Sequence, residues 1–104
     1  MSDDVAIVGI GMHPFGRHEG VSGMEQGAAA IRTACADANV KWADLEFAFG
    51  GSVAAGNPDS MVSQMGLTGL QFINVVNGCA TGGSALISAY NTIKSGAFDL
   101  GLAI

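Results

Sequence analysis

The sequence predicts an α/β fold built on a mainly parallel sheet. Three observations carry that expectation. Short continuous apolar runs at residues 5–11, 45–53 and 71–76, and again from residue 99, alternate with segments of helical apolar spacing. Strands buried on both faces read as such unbroken runs. The resulting order, β-α-β-α-β-α-β, requires crossovers and therefore parallel neighbours. Finally, a Gly-rich turn holding one cysteine, residues 77–83 (NGCATGG), stands where the third strand hands over to the last helix.

The first strand is expected at residues 5–11, VAIVGIG. Its Gly9 and Gly11 resemble the start of a dinucleotide-binding fingerprint. However, the third glycine position is Pro14, and a polar loop through Gly20 follows where that motif needs a helix. The loop carries His13, Arg17 and His18 without a third ligand at metal spacing, so it reads as solvated. Ser22 with Glu25 forms a capping-box pattern, and a helix is expected to run to about Asn39. Ala28, Ile31, Ala34, Cys35 and Ala38 give that helix one apolar stripe of small residues.

A short turn at residues 42–44 leads to the second strand, residues 45–53. Asn57-Pro58 signals a turn, and Asp59 or Ser60 is placed to cap a short helix over residues 61–67. Met61 and Met65 stand four apart on it. Such methionines are core filler or, alternatively, a flexible wall for an acyl group. The third strand, residues 71–76, is expected to be buried on both faces. The last helix, starting near Ser84 and ending at Gly96, is apolar nearly all round and is expected to be buried on most sides.

Composition narrows the function. Hydrophobic residues make up 49% of the chain and charged residues 12%, where roughly a quarter is usual. A small domain with so little charge is expected to bury surface against more protein. The net charge of −5, with four scattered Lys and Arg, argues against nucleic acid. No apolar run approaches the roughly 20 residues that span a bilayer. The acidic N-terminus lacks the basic region of a secretory signal. The two cysteines sit in unlike contexts, which suggests free thiols and a reducing compartment, hence a cytoplasmic location.

Cys35 falls inside a helical apolar stripe and reads as core. Cys79 has a different address, after a strand and before a helix. Free amides and the positive end of the dipole favour thiolate there, and the thiolate is the nucleophile. Glycines keep the approach clear, and backbone amides of the turn are positioned to stabilise an oxyanion. Ligands of parallel sheets bind beyond the carboxyl ends of strands, which is where Cys79 lies.

The stretch NGCATGGSAL, residues 77–86, resembles the nucleophile motif of the thiolase superfamily, nearest to its sterol carrier protein x and lipid-transfer acetyl-CoA acetyltransferase branch. VAIVGIGMHPFG, GLTGLQFINV and the GAFD lead-in at residues 96–99 agree with it, so the resemblance covers the whole chain. It implies a thiolase-like N-terminal half-domain, with residues 1–104 an incomplete N-terminal part. It implies a Cys acyl-enzyme formed at Cys79 from acyl-CoA, with the Cys79 amide an oxyanion donor. The activity would be Claisen condensation or thiolytic cleavage in lipid or sterol side-chain metabolism. Gly78, Gly82 and Gly83 would shape the pocket, with Met61 and Met65 near the acyl group.

The same resemblance implies no cofactor beyond the coenzyme A thioester as substrate, and no metal. It implies a homodimer with Gln71, Asn74 and Asn77 at its interface, and possible work with a small partner subunit. The family's catalytic histidine and second cysteine lie in a C-terminal half, and neither His13 nor His18 matches them. Alternatives within the resemblance are an aldolase, a non-catalytic lipid-CoA-binding subunit, or a ketoacyl-synthase-like condensing enzyme.

Overall fold

The computed structural model describes residues 4–104; the first residues of the acidic N-terminus lie outside them. Three strands form one parallel sheet, β1 (Phe47–Gly50), β2 (Gln71–Asn74) and β3 (Gly101–Ala103). Their order is β2-β1-β3, so β1 is central. Three α-helices complete the fold: α1 (Gly23–Ala38), α2 (Pro58–Met65) and α3 (Thr81–Lys94). Helix α2 connects β1 to its neighbour β2, and α3 crosses over β1 from β2 to β3.

Side-chain alternation along the strands sorts the core into two layers. Ile31 and Cys35 of α1 and Met61 of α2 pack with Leu45, against Phe72, Leu100, Leu102 and Ile104. On the other face Ala85 of α3 packs with Phe47 and Phe49, against Val75, Phe98 and Ala103. Phe47, 1% exposed, is sealed between the rings of Phe49 and Phe98, each 5.7 Å away. The sheet is thus flanked by α1 and α2 on one side and α3 on the other. Glu46 ties it together. Its carbonyl accepts the Gln71 amide, its amide donates to Leu100, and its carboxylate accepts the Asp99 and Leu100 amides at 2.9 and 3.0 Å.

The ends of α1 fall where the sequence places them, with the Ser22 half of the expected capping box formed. The Ser22 hydroxyl accepts the Glu25 amide at 3.1 Å, and Asn39 closes the helix in the left-handed region at φ 56°. Gly96, at φ 80°, follows α3.

Four expectations are corrected. Residues 5–11 form no strand. They lie against α1, where a Cβ at Gly9 or Gly11 would fall 2.5 or 2.2 Å from a helix carbonyl, and the Ile10 amide donates to Asp37. An apolar run sets an extended backbone but supplies no neighbour to pair with. The short helix begins three residues earlier than expected, because Asn57 is its cap and Pro58 its first residue. Strand β2 is not buried on both faces; Gln71, Ile73 and Asn74 are exposed, because α3 packs over β1 and β3 rather than over β2. Helix α3 is not buried on most sides either. Ala85 is its one buried residue, while Leu86, Ile87 and Tyr90 are exposed, because these residues cover only one face of it.

Candidate functional site

The turn after β2 is built by local hydrogen bonds. Asn74 accepts the Val76 amide through its side chain, an Asx turn that ends the strand. Gly78 takes φ 54°, a conformation that costs a residue with a Cβ. A single 3₁₀ turn, Gly78–Ala80, then passes directly into α3. The Thr81 hydroxyl accepts the Asn77 amide and donates to the Gly78 carbonyl, both at 2.8 Å. The Asn77 side chain reaches one helical turn further and donates to the Ser84 hydroxyl at 3.0 Å. Thr81, Asn77 and Ser84 therefore clamp the loop on both sides of Cys79.

Cys79 sits inside this clamp as an exposed free thiol, at the N-terminal end of α3. Gly82 and Gly83 lie in the first turn of α3, and a Cβ at either would meet nothing within 4 Å. The approach to the sulfur is open on that side. Beyond the carboxyl ends of β1 and β2 lies a cavity of about 450 Å³ lined by Gly51, Asn57, Asp59, Asn74 and Val76. Gly51 stands against the Thr81 methyl, so the cavity adjoins the clamp, although Cys79 does not line it.

The other residues singled out from the sequence are dispersed. Met61 is fully buried in the core with Ile31, Cys35 and Leu45, and Met65 packs against that cluster. The core reading of both methionines holds, and the acyl-wall reading is corrected for Met61, whose side chain is sealed from any ligand. Gln71, Asn74 and Asn77 are exposed along β2 and its end. His13 and His18 pack edge-to-face at 4.6 Å and share the Pro14 carbonyl, at 3.1 and 2.8 Å. Among the described residues, no group of three or more His, Cys, Asp or Glu is placed to hold a metal ion. Cys35 lies in the core, where burial, with Asp44 adding to it, pushes its thiol above the ordinary value. No helix of the described residues is long and apolar enough to cross a membrane.

What sequence reasoning missed is the clamp. The sequence places Asn77 in the turn and at the implied dimer interface, and Thr81 and Ser84 only within the motif. The available signal was the spacing of Asn, Thr and Ser around a Gly-Cys pair, since short polar side chains bond nearby backbone in turns.

No family model matches the chain. Among curated proteins, it is 34% identical over 112 residues to sterol carrier protein 2 of Gallus gallus, a match covering 100% of this chain and 20% of that protein. It is 33% identical to acetyl-CoA acetyltransferase of Methanothermobacter thermautotrophicus, over 96% of this chain and 28% of the relative. The chain is a homologue of these proteins. Non-specific lipid-transfer protein-like 2 of Caenorhabditis elegans matches as well, at 33% identity over 92% of this chain and 24% of its own length. The chain therefore spans 20% to 28% of the length of these curated relatives. Thiolase-related and lipid-transfer proteins share this stretch, and it contains the Cys79 turn.

Proposed function

We propose that the chain binds lipid acyl-CoA thioesters at the Cys79 turn, as the nucleophile segment of a thiolase-type acyltransferase of lipid or sterol side-chain metabolism. The observation that supports this reading is an exposed thiol at the start of α3, with open space above Gly82 and Gly83. In the proposed step the Cys79 thiolate attacks the thioester carbonyl, with a backbone amide of the turn facing the developing oxyanion. The bond between the carbonyl carbon and the CoA sulfur breaks, CoA leaves as its thiolate, and the acyl group stays on Cys79 Sγ. The base and the second acidic group of a full cycle are assigned to polypeptide outside residues 1–104, which on this reading form the N-terminal part of a larger domain. Exposed β2, with Gln71, Asn74 and Asn77, is the proposed dimer edge, and two free cysteines support a reducing, cytoplasmic location.

A second reading is a lipid-CoA-binding subunit without turnover, working with a partner. The names of the relatives favour it, since sterol carrier and lipid-transfer proteins stand beside one acetyltransferase among those described.

Intact-mass analysis after incubation with acetyl-CoA or decanoyl-CoA separates the two. The acyltransferase reading expects one acyl group per chain, mapped to Cys79, one CoA released, and neither in Cys79→Ser. Retention of acyl-CoA without adduct, equal in both proteins, moves the assignment to the binding subunit. Iodoacetamide labelling of Cys79 no faster than a free thiol, with no protection by acyl-CoA, sinks both.

A further inference from the structure

Two amides of the Cys79 turn are left unused, and the peptide groups they belong to are held from the other side. The amides of Val75, Val76, Asn77, Ala80 and Thr81 are each taken. Their acceptors are the Gly50 carbonyl, the Asn74 side chain, the Thr81 hydroxyl, the Asn77 carbonyl and the Gly78 carbonyl. The amides of Gly78 and Cys79 have no acceptor among the described residues. A trans peptide is planar, so its N–H points opposite to its C=O. The Asn77 carbonyl, which accepts the Ala80 amide at 3.0 Å, therefore sets the direction of the Gly78 amide. The Gly78 carbonyl accepts both the amide and the hydroxyl of Thr81, and so sets the direction of the Cys79 amide.

Glycine at position 78 makes the hydroxyl matter. At φ 54° and without a Cβ, Gly78 gives the peptide groups on either side little resistance to rotation. The Thr81 hydroxyl restrains both. It accepts the Asn77 amide before Gly78 and donates to the Gly78 carbonyl after it, each at 2.8 Å. The Thr81 methyl lies so close to Gly51 that a Cβ there would fall 2.9 Å from it, so the side chain is wedged between the turn and the end of β1. We propose that Thr81 is a positioning residue for acyl transfer: its hydroxyl aims the Cys79 amide at the oxygen of a thioester carbonyl under attack by Sγ. The inference rests on the acyl-enzyme reading above and adds the side chain that prepares its oxyanion donor. Thr81 acts through the Gly78–Cys79 peptide and not on the reacting atoms. A hydroxyl at a helix start otherwise only ties nearby backbone and stabilises the turn.

Two reactions of the same sulfur separate these roles. Acylation by decanoyl-CoA puts negative charge on the carbonyl oxygen before the bond to the CoA sulfur breaks and the acyl group stays on Sγ. Alkylation by iodoacetamide displaces iodide from a methylene carbon and builds no oxyanion. Thr81→Val keeps the side-chain shape and removes the hydroxyl. Losing an oxyanion donor costs roughly 10²–10³ in rate, so acylation is expected to slow about tenfold or more while alkylation stays within about twofold of native. Thr81→Ser, which keeps the hydroxyl, is expected to restore acylation. If circular dichroism shows that Thr81→Val does not fold, Thr81→Ala removes the same hydroxyl and carries the measurement. Acylation of the variant at the native rate overturns the inference and leaves the acyl-enzyme reading standing. Equal losses in both reactions, not restored by serine, make Thr81 a structural residue only and overturn it as well. A native chain that takes up no acyl group removes the acyl-enzyme reading itself, and the inference falls with it.

Discussion

Helices α1 and α3 flank the same sheet and are both rich in small residues, but they use them in opposite ways. In α1 the small residues permit close approach. A Cβ at Gly27 would fall 1.8 Å from the Ala55 carbonyl, and Ala28 and Ile31 are sealed at 0% and 1% exposure. In α3 the glycines touch nothing, and Leu86, Ile87 and Tyr90 stay open to solvent. The first is closed around Gly27, Ala28 and Ile31 by contacts within the described residues; the second leaves Leu86, Ile87 and Tyr90 uncovered. A glycine in a helix is thus either a clearance for backbone or a clearance for something not yet bound, and only its surroundings tell which.

Substitutions at the two kinds of glycine are the direct way to break this comparison. Gly27→Ala is expected to have the largest effect. Its methyl cannot avoid the Ala55 carbonyl, and the clash outweighs the better helix propensity, for a loss of about 3 kcal/mol by denaturant titration. A neutral result would mean that α1 and residues 54–56 are not in close contact. Gly83→Ala should do the reverse, raising stability by about 0.5–1 kcal/mol because the helix gains a better former and nothing is in the way. On the proposed function the same methyl narrows the approach to Cys79, so acylation by decanoyl-CoA is expected to slow while stability rises. An unchanged acylation rate would place the substrate elsewhere.

The smallest expected effect is at Cys35, on the closed side. Burial raises its folded-state pKa, with Asp44 adding to the shift. The unfolded thiol therefore ionises first as pH rises. The associated stability is complete at neutral pH and is lost progressively above about pH 8.5, the ordinary thiol range. The stability gap between the native protein and Cys35→Ala should narrow through that window. A gap that stays constant with pH would mean that Cys35 is not desolvated.

The same contrast explains what was legible in the sequence. Features set by near neighbours along the chain were readable: Ser22 and Asn39 at the ends of α1, Gly96 after α3, and the placement of Cys79 between a strand and a helix. Cys35 was readable as core because its stripe is completed within the chain. Features that depend on what lies alongside were not. Residues 5–11 have the composition of a strand, but composition does not supply an edge to pair with. Strand β2 and helix α3 are as apolar as buried elements, and their exposure reflects what these 104 residues leave uncovered. Met61 could be core or ligand wall on sequence alone; only packing against Ile31 and Leu45 decides it. The Asn77–Thr81–Ser84 clamp uses common turn chemistry, which local spacing hints at without fixing its partners.

Glu46 has a consequence for how the chain assembles. One residue contacts both flanking strands, through its backbone to Gln71 and Leu100 and through its carboxylate to two amides more than fifty positions away. Adjacent parallel strands cannot meet until the crossover between them has formed, and contacts so distant in the chain make folding slow. Glu46 thereby holds the alignment of the native sheet, and a one-residue slip, which would turn every side chain of a strand to the wrong layer, is disfavoured.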